Sequence, residues 1–312
     1  MLQDKTPPFD SDVPVDGYQW WYVDGISDCR RYGLVVIAFI GSVFSPYYFR
    51  ARRKGVGNPR NFCAINVASY GRGANAWSMT ERNAQQLTTT PDRMQVGRSY
   101  LELSGAQLSI HIDERTMPWL RRLRGTVGIK AEHASAKTFS LDAGHRHKWQ
   151  PIAPIARIEV TLDSPELAWK GDAYVDTNFG SRPLEDDFAS WHWSSLRRPE
   201  GSRIYYDALQ RDGQRRCIAL AVNAQNEMQA MAAPAHSSMQ KSGWGIERTS
   251  LHGNHSRVIE TLEDAPFYAR SLIAVDEEKA GAVAMHESLS LERFSRGWVR
   301  TLLPFRMPRV MS

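Results

Sequence analysis

Apolar and polar positions along this chain alternate mostly with a period of two, in short runs bounded by turn residues. Tyr18–Val23, Gly33–Ile40, Asn61–Ala68, Trp77–Thr80, Met94–Val96, Ser99–Leu103, Gln107–Ile112 and Gly125–Ala131 read as strands at intervals near ten residues. The run Gly33–Ile40 is apolar on both sides, so it is expected to be covered on both faces, and Ser45-Pro46-Tyr47-Tyr48 ends it. Few windows carry a 3.6-residue period; Thr80–Gln86 suits a short helix. The second half repeats the pattern with Ala189–Trp193, Ile204–Leu209, Cys217–Val222, Met228–Ala232, Gly243–Glu247, Val258–Leu262 and Tyr268–Val275. Its opening, Ala189-Ser190-Trp191-His192-Trp193, echoes Tyr18-Gln19-Trp20-Trp21-Tyr22: in each, an aromatic strand meets a basic turn and then an apolar strand. This weak internal repeat predicts an all-β chain of two tandem barrel- or sandwich-like domains. The expected divisions are an arm over 1–14, a first domain over 15–183 and a second over 184–312, with the boundary near Pro183-Leu184.

Length and composition agree with this division. At 312 residues, each half is long enough for its own core, and 42% hydrophobic with 23% charged residues is ordinary for a water-soluble domain. Ten Trp is many, and some are expected to line a cavity. The net charge of +5 admits nucleic acid or an anionic membrane as a partner, but the chain has no long basic run, zinc-finger spacing or RNA-binding signature, so nucleic acid is not expected. Cys29, Cys63 and Cys217 form no C-x-x-C, which fits a reducing compartment without disulfides. The N-terminus lacks the basic start and apolar run of a signal peptide, and no apolar stretch approaches the ~20 residues that span a bilayer.

The stretch Asp172–Trp193 concentrates the candidate chemistry. As a strand it sends Ala173, Val175 and Thr177 one way and Tyr174, Asp176 and Asn178 the other, before Asn178-Phe179-Gly180-Ser181-Arg182-Pro183 breaks it. Two readings stand side by side: a solvent-facing polar edge, or a carboxyl held among aromatic rings, which is the setting of a proton donor. In the following run Trp191 and Trp193 share a side and His192 takes the other.

His145-Arg146-His147-Lys148-Trp149 is the second candidate. Extended, it would put His145, His147 and Trp149 on one face, and H-x-H is a metal-ligand spacing in β proteins. A metal needs further ligands, and His111, His133, His252, His255 and His286 show no pattern that supplies them. An ordinary histidine, a catalytic histidine and a ligand all remain open. There is no G-x-S-x-G, phosphate loop or dinucleotide fingerprint. A carboxyl, a histidine, a phenol and indoles remain, a set that can run acid catalysis on an apolar alkene without a cofactor. The acid protonates a double bond, aromatic faces steady the cation by about 0.5–2 kcal/mol per ring, and a His-oriented water captures it. Met117–Arg124 and Trp298–Arg309 mix Trp, Leu and Arg around Pro, which suits either a membrane interface or ordinary loop and tail packing.

The chain resembles the acyclic carotenoid 1,2-hydratases (hydroxyneurosporene synthases) almost end to end. The marks are Gly17–Asp24, Ile37–Tyr48, Cys63–Val67, Met79–Arg82, Ala173–Asn178, Met285–Leu289 and Leu303–Pro308. The resemblance implies two lipocalin-like domains and cofactor-free addition of water to the terminal double bond of lycopene- or neurosporene-type carotenoids. It implies Asp176 as proton donor, Tyr174 as its partner on the same strand face, and His147 and Trp149 as a supporting pair. It also implies a hydrophobic carotenoid substrate and a cytoplasmic protein held peripherally at the inner or photosynthetic membrane. Phe179 and Ser195 depart from the family pattern, where an acidic residue and an Arg are expected. A pericyclic cyclase of polyenes on the same fold, or a carotenoid or lipid carrier without chemistry, are the alternatives.

Overall fold

The period-two runs become antiparallel strands in the structure, a computed structural model that describes residues 1–253, 256–275 and 282–310. The chain divides into two compact units, Met1–Pro183 with the C-terminal segment from Thr301, and Leu184–Arg300. The sequence reading assigns that C-terminal segment to the second half, whereas it packs with the first unit. There Glu81 N donates to Pro308 O at 2.9 Å, Val310 N donates to Glu81 O at 2.9 Å, and Arg309 ion-pairs with Glu81.

In the first unit, α1 (Leu2–Lys5) precedes β1 (Tyr18–Ser27), β2 (Gly33–Ile40), α2 (Pro46–Arg53), β3 (Cys63–Tyr70), β4 (Ala76–Met79), β5 (Leu87–Thr89) and β6 (Arg93–Val96). Then follow β7 (Ser99–Ser104), β8 (Gln107–Arg115), β9 (Arg122–Lys130), β10 (Phe139–Ser140), β11 (His147–Ser164) and β12 (Glu166–Gly180). They form one sheet in the order β4-β3-β2-β1-β12-β11-β9-β8-β7-β6-β5, with β10 beside β11. The sheet curls around a large apolar core. Val36 of β2, Ile65 of β3, Met94 of β6, Ile110 of β8, Val160 of β11 and Val175 of β12 all belong to it. The arm is part of this core: Leu2, Phe9 and Val13 are buried in it, and Phe9 meets Trp21 edge-on at 4.9 Å.

The second unit holds α3 (Leu184–Asp187), β13 (Phe188–Arg198), β14 (Gly201–Gln210), β15 (Arg215–Asn223), β16 (Met228–Ala230), β17 (Ser237–Met239) and β18 (Arg248–Ser250). It continues with β19 (Arg257–Ala265), β20 (Tyr268–Val275), β21 (Ala282–Ser290) and α4 (Leu291–Phe294); α5 (Gly297–Arg306) crosses the division. Its main sheet runs β16-β15-β14-β13-β21-β20-β19, and β17 pairs with β18 apart from it. The aromatic strands occupy matching places: β1 lies between β2 and β12, and β13 between β14 and β21.

Four local expectations are corrected. Ser45-Pro46 ends β2's run but also starts a helix, because Ser45 Oγ accepts from Tyr47 N and Tyr48 N and Pro46 fills the first turn. Thr80–Gln86 yields only the single 3-10 turn Ala84–Gln86. Gly243–Glu247 is a turn, not a strand; Gly245 N donates to Ser242 O, and Gly243 N to Asp264 Oδ2. The break after Asp176 comes later than expected: Asn178, Phe179 and Gly180 continue β12, and the chain turns at Ser181. Among the described residues no helix is long and apolar enough to cross a membrane.

Candidate active site

The alternation of β12 separates two environments. Ala173 and Val175 enter the apolar core, while Tyr174, Asp176 and Asn178 point to the other face of the sheet. Register extends that second face across three strands. On β1, Trp20 lies opposite Asn178, Tyr22 opposite Asp176 and Asp24 opposite Tyr174. On β11, His147 lies opposite Gly180, Trp149 opposite Asn178 and Pro151 opposite Asp176. The face is not solvated: Asp176 is 4% exposed, Tyr174 2% and Trp149 and His147 0%. The polar-edge reading of Tyr174 and Asp176 is thereby overturned.

β11 reaches this face through an irregularity. Pairing with β12 shifts between Pro151 and Ala153 and again between Ala153 and Ala156. Pro151 and Pro154 lack the N–H that a regular ladder needs, so the strand bulges there. The two shifts add two residues, which restores the alternation, so Trp149 faces the site while Ala156 and Ile158 still face the core.

Trp149 Nε1 and the Tyr174 hydroxyl both donate to Asp176 Oδ2, each at 2.8 Å. Tyr174 is a dependable donor, since burial first and then the adjacent Asp176 raise its pKa well above the ordinary phenol value. Burial disfavours the charged form of Asp176, whereas the two donors favour it. Both donors converge on one oxygen of this carboxyl, Oδ2.

His147 opens β11 where the preceding turn is pinned. Its backbone N donates to Asp142 Oδ1 at 2.9 Å, and Arg146 Nε bonds Asp142 Oδ2 at 3.2 Å. The Tyr18 hydroxyl lies 3.0 Å from His147 Nδ1, and Tyr18 stacks on Trp20 at 5.0 Å. Gly180 makes this possible: a β-carbon there would lie 2.7 Å from Tyr18 Cε1 and 2.9 Å from His147 Nδ1.

The H-x-H expectation fails. His145 sits in the left-handed turn before β11, with φ of 54°, and its Nδ1 meets Ser140 Oγ at 2.6 Å, away from His147's face. The other histidines do not complete a site with His147. His111 stacks on Tyr100, His133 is exposed, His252 Nε2 pairs with Ser194 Oγ and His286 Nε2 donates to Thr249 O. His255 lies outside the described residues. His192 belongs to the second unit, with its Nδ1 3.0 Å from Ser288 Oγ. Among the described residues one group has ligand atoms close enough to share an ion, namely Asp207, Cys217 and His236, and it includes none of the four candidates.

Sequence reasoning passed over Tyr18, Tyr22, Asp24, Asp142 and Gly180. Tyr18, Trp20, Tyr22 and Asp24 share one parity, so the alternation that singled out Tyr174 and Asp176 applies to them equally. Tyr22 donates to Asp24 Oδ2 at 3.1 Å and meets Tyr174 edge-on at 6.1 Å, which adds a second buried carboxyl to the face. Gly180 reads from sequence only as a turn residue, because its role depends on pairing between distant segments, whereas Asp142 acts locally on Arg146 and His147 and no pattern marks its carboxyl.

Residues 36–312 match the family described as carotenoid hydratase CrtC. An acyclic carotenoid 1,2-hydratase of Thiocapsa roseopersicina is 45% identical over 309 residues, covering 98% of this chain and 76% of its own length. One of Rubrivivax gelatinosus is 40% identical over 308 residues, covering 97% and 76%. Among solved structures, kievitone hydratase of Nectria haematococca superposes with a TM-score of 0.53 at 13% identity, covering 92% of this chain and 98% of that one. At that identity the likeness speaks for the fold, an all-β lipocalin-like architecture.

Proposed function

Because the chain belongs to the carotenoid hydratase CrtC family, we propose that it adds water to the terminal C1–C2 double bond of an acyclic carotenoid of the lycopene or neurosporene type, forming a 1-hydroxy carotenoid without a cofactor. The observation that carries the reading is the pair of 2.8 Å bonds from Trp149 Nε1 and the Tyr174 hydroxyl to one oxygen of a buried carboxyl.

In this mechanism Asp176 is protonated at rest, since its site is shielded from water. The Oδ1 proton moves to C2 of the alkene and a tertiary cation forms at C1. Charge appears on the carboxylate as the proton leaves, and the bonds from Trp149 and Tyr174 strengthen at that moment, so they act on the transition state more than on the resting acid. The rings of Tyr18, Trp20, Tyr22 and Trp149 on the same face offer π surface to the cation. A water oriented by His147 bonds to C1 and gives up a proton, which returns the carboxyl to its starting form through the polar groups of the face. Asp24 is the second carboxyl available for that transfer.

The substrate is insoluble in water, so the reading includes peripheral attachment to the cytoplasmic face of the inner or photosynthetic membrane. Exposed Trp119, Leu120, Trp298, Leu302 and Phe305 and a net charge of +5 support it.

The test is incubation with lycopene under anoxia and without added cofactor, followed by mass analysis. The expected product is heavier by one water. Asp176→Asn should abolish it while circular dichroism stays unchanged, and Tyr174→Phe should slow it by roughly 10–100-fold. Undiminished turnover by Asp176→Asn overturns the acid assignment. Turnover that requires a nucleotide or metal overturns the cofactor-free reading, and binding without any product favours a carrier.

A further inference from the structure

We propose that Asp207, Cys217 and His236 of the second unit form a binding site for a thiophilic divalent ion of the zinc type. β14 and β15 pair Asp207 directly with Cys217, and the Cys217 thiol donates to Asp207 Oδ1 at 3.3 Å. His236 lies just before β17 and brings Nε2 to 3.0 Å from Asp207 Oδ2. The three ligand atoms lie within 4.8 Å of one another. Zinc bonds of about 2.0–2.3 Å at tetrahedral angles set ligand atoms roughly 3.3–3.8 Å apart, so small side-chain movements suffice. A thiolate, an imidazole and a carboxylate are a donor set that suits zinc over the hard cations.

A positive charge already occupies this position. Arg215 Nη1 is 2.5 Å from Asp207 Oδ2 and 3.2 Å from His236 Nε2. The Asp207 carboxyl is buried and needs such a partner, whereas the Arg215 side chain is 40% exposed and can swing into solvent. Guanidinium and metal ion are therefore alternative occupants of one place. On binding, Cys217 loses its thiol proton to solvent, His236 coordinates as the neutral ring, Arg215 withdraws, and water fills the remaining coordination position. The site shares no residue with the Asp176 face and does not depend on the hydratase reading.

The experiment titrates the metal-free full-length protein with Co²⁺ and follows the near-ultraviolet thiolate-to-cobalt charge-transfer band, then adds Zn²⁺ as competitor. One equivalent of Co²⁺ should raise the band and Zn²⁺ should remove it. Cys217→Ser should lack the band, with Cys29→Ser as the control that keeps it. Asp207→Asn should weaken binding by ~10–100-fold, as loss of a metal-site partner does. Arg215→Gln leaves all three ligands in place and should tighten binding by about 10-fold, because it removes the competing charge. The proposal is overturned by no band in the unaltered protein, by a band that survives Cys217→Ser, or by an Arg215→Gln protein that binds no more tightly.

Discussion

A methyl group is enough to test the geometry around His147. At position 180 it would meet Tyr18 Cε1, Arg146 O and His147 Nδ1 at 2.7–2.9 Å, and two of these three contacts are with site rings. Gly180→Ala is therefore expected to destabilise the protein by about 1–3 kcal/mol, the usual range for overpacking, and to slow hydration by separating Tyr18 from His147. Urea denaturation together with turnover measures both. A variant with unaltered stability and rate would mean that the two rings are not held as described. Gly180 is read from sequence as a turn former, yet it needs no special backbone angle here; what the position needs is the absence of a side chain.

Among the elements, α5 shows most directly how one helix serves two environments. Val299 and Leu303 are buried, while Trp298, Leu302 and Phe305 are exposed, the last at 74%. The exposed trio recurs at i, i+4 and i+7, one stripe of the helix. Trp298 also stacks on Trp244 at 6.3 Å, with Arg293 over its ring at 5.9 Å. Isolated exposed apolar residues are common, but a stripe of them with Arg300 and Arg306 on the same helix suits an anionic lipid surface. The protein is expected to co-sediment with vesicles containing anionic lipid, and Trp298→Ser with Phe305→Ser to weaken this by roughly 10-fold. Equal sedimentation of the double variant would remove α5 from the proposed docking surface. Sequence reading left this segment open between a membrane interface and an ordinary tail; the structure makes it a helix that carries Pro304 within its span.

At the scale of the whole molecule, acid is expected to destabilise the fold through its buried imidazoles. His286 is held down to about 4, first by burial, with the charges of His252 and Arg248 acting in the same direction and its bond to Thr249 opposing. His192, half-buried beside it with rings 6.0 Å apart, is pushed down to about 3, again by burial first. Both are neutral when folded, whereas an unfolded histidine takes up a proton near pH 6.5. The unfolded state therefore binds more protons between pH 6.5 and about 4, and stability falls as pH falls through that window. His286 alone corresponds to about 3 kcal/mol by pH 4. Urea midpoints between pH 7 and 4.5 should decline, and His286→Gln should remove about one proton's worth of slope, ~1.4 kcal/mol per pH unit. An identical slope in that variant would show that His286 takes up its proton without unfolding.

The residues by themselves determined the all-β character and the two-sidedness of β12, because a period of two is a local property that any strand must express. They likewise determined that Tyr174, Asp176 and Asn178 would share a face. Tertiary structure alone decided that this face is buried, that two donors converge on Asp176 Oδ2, and that Tyr18 meets His147. The Trp149–Asp176 bond joins residues 27 apart, and the Tyr18–His147 contact joins residues 129 apart. Such contacts follow from which strands pair and in what register, and the bulge at Pro151 and Ala153 helps set that register for β11. A strand's own pattern says which residues point together, but only its neighbours say what they point at.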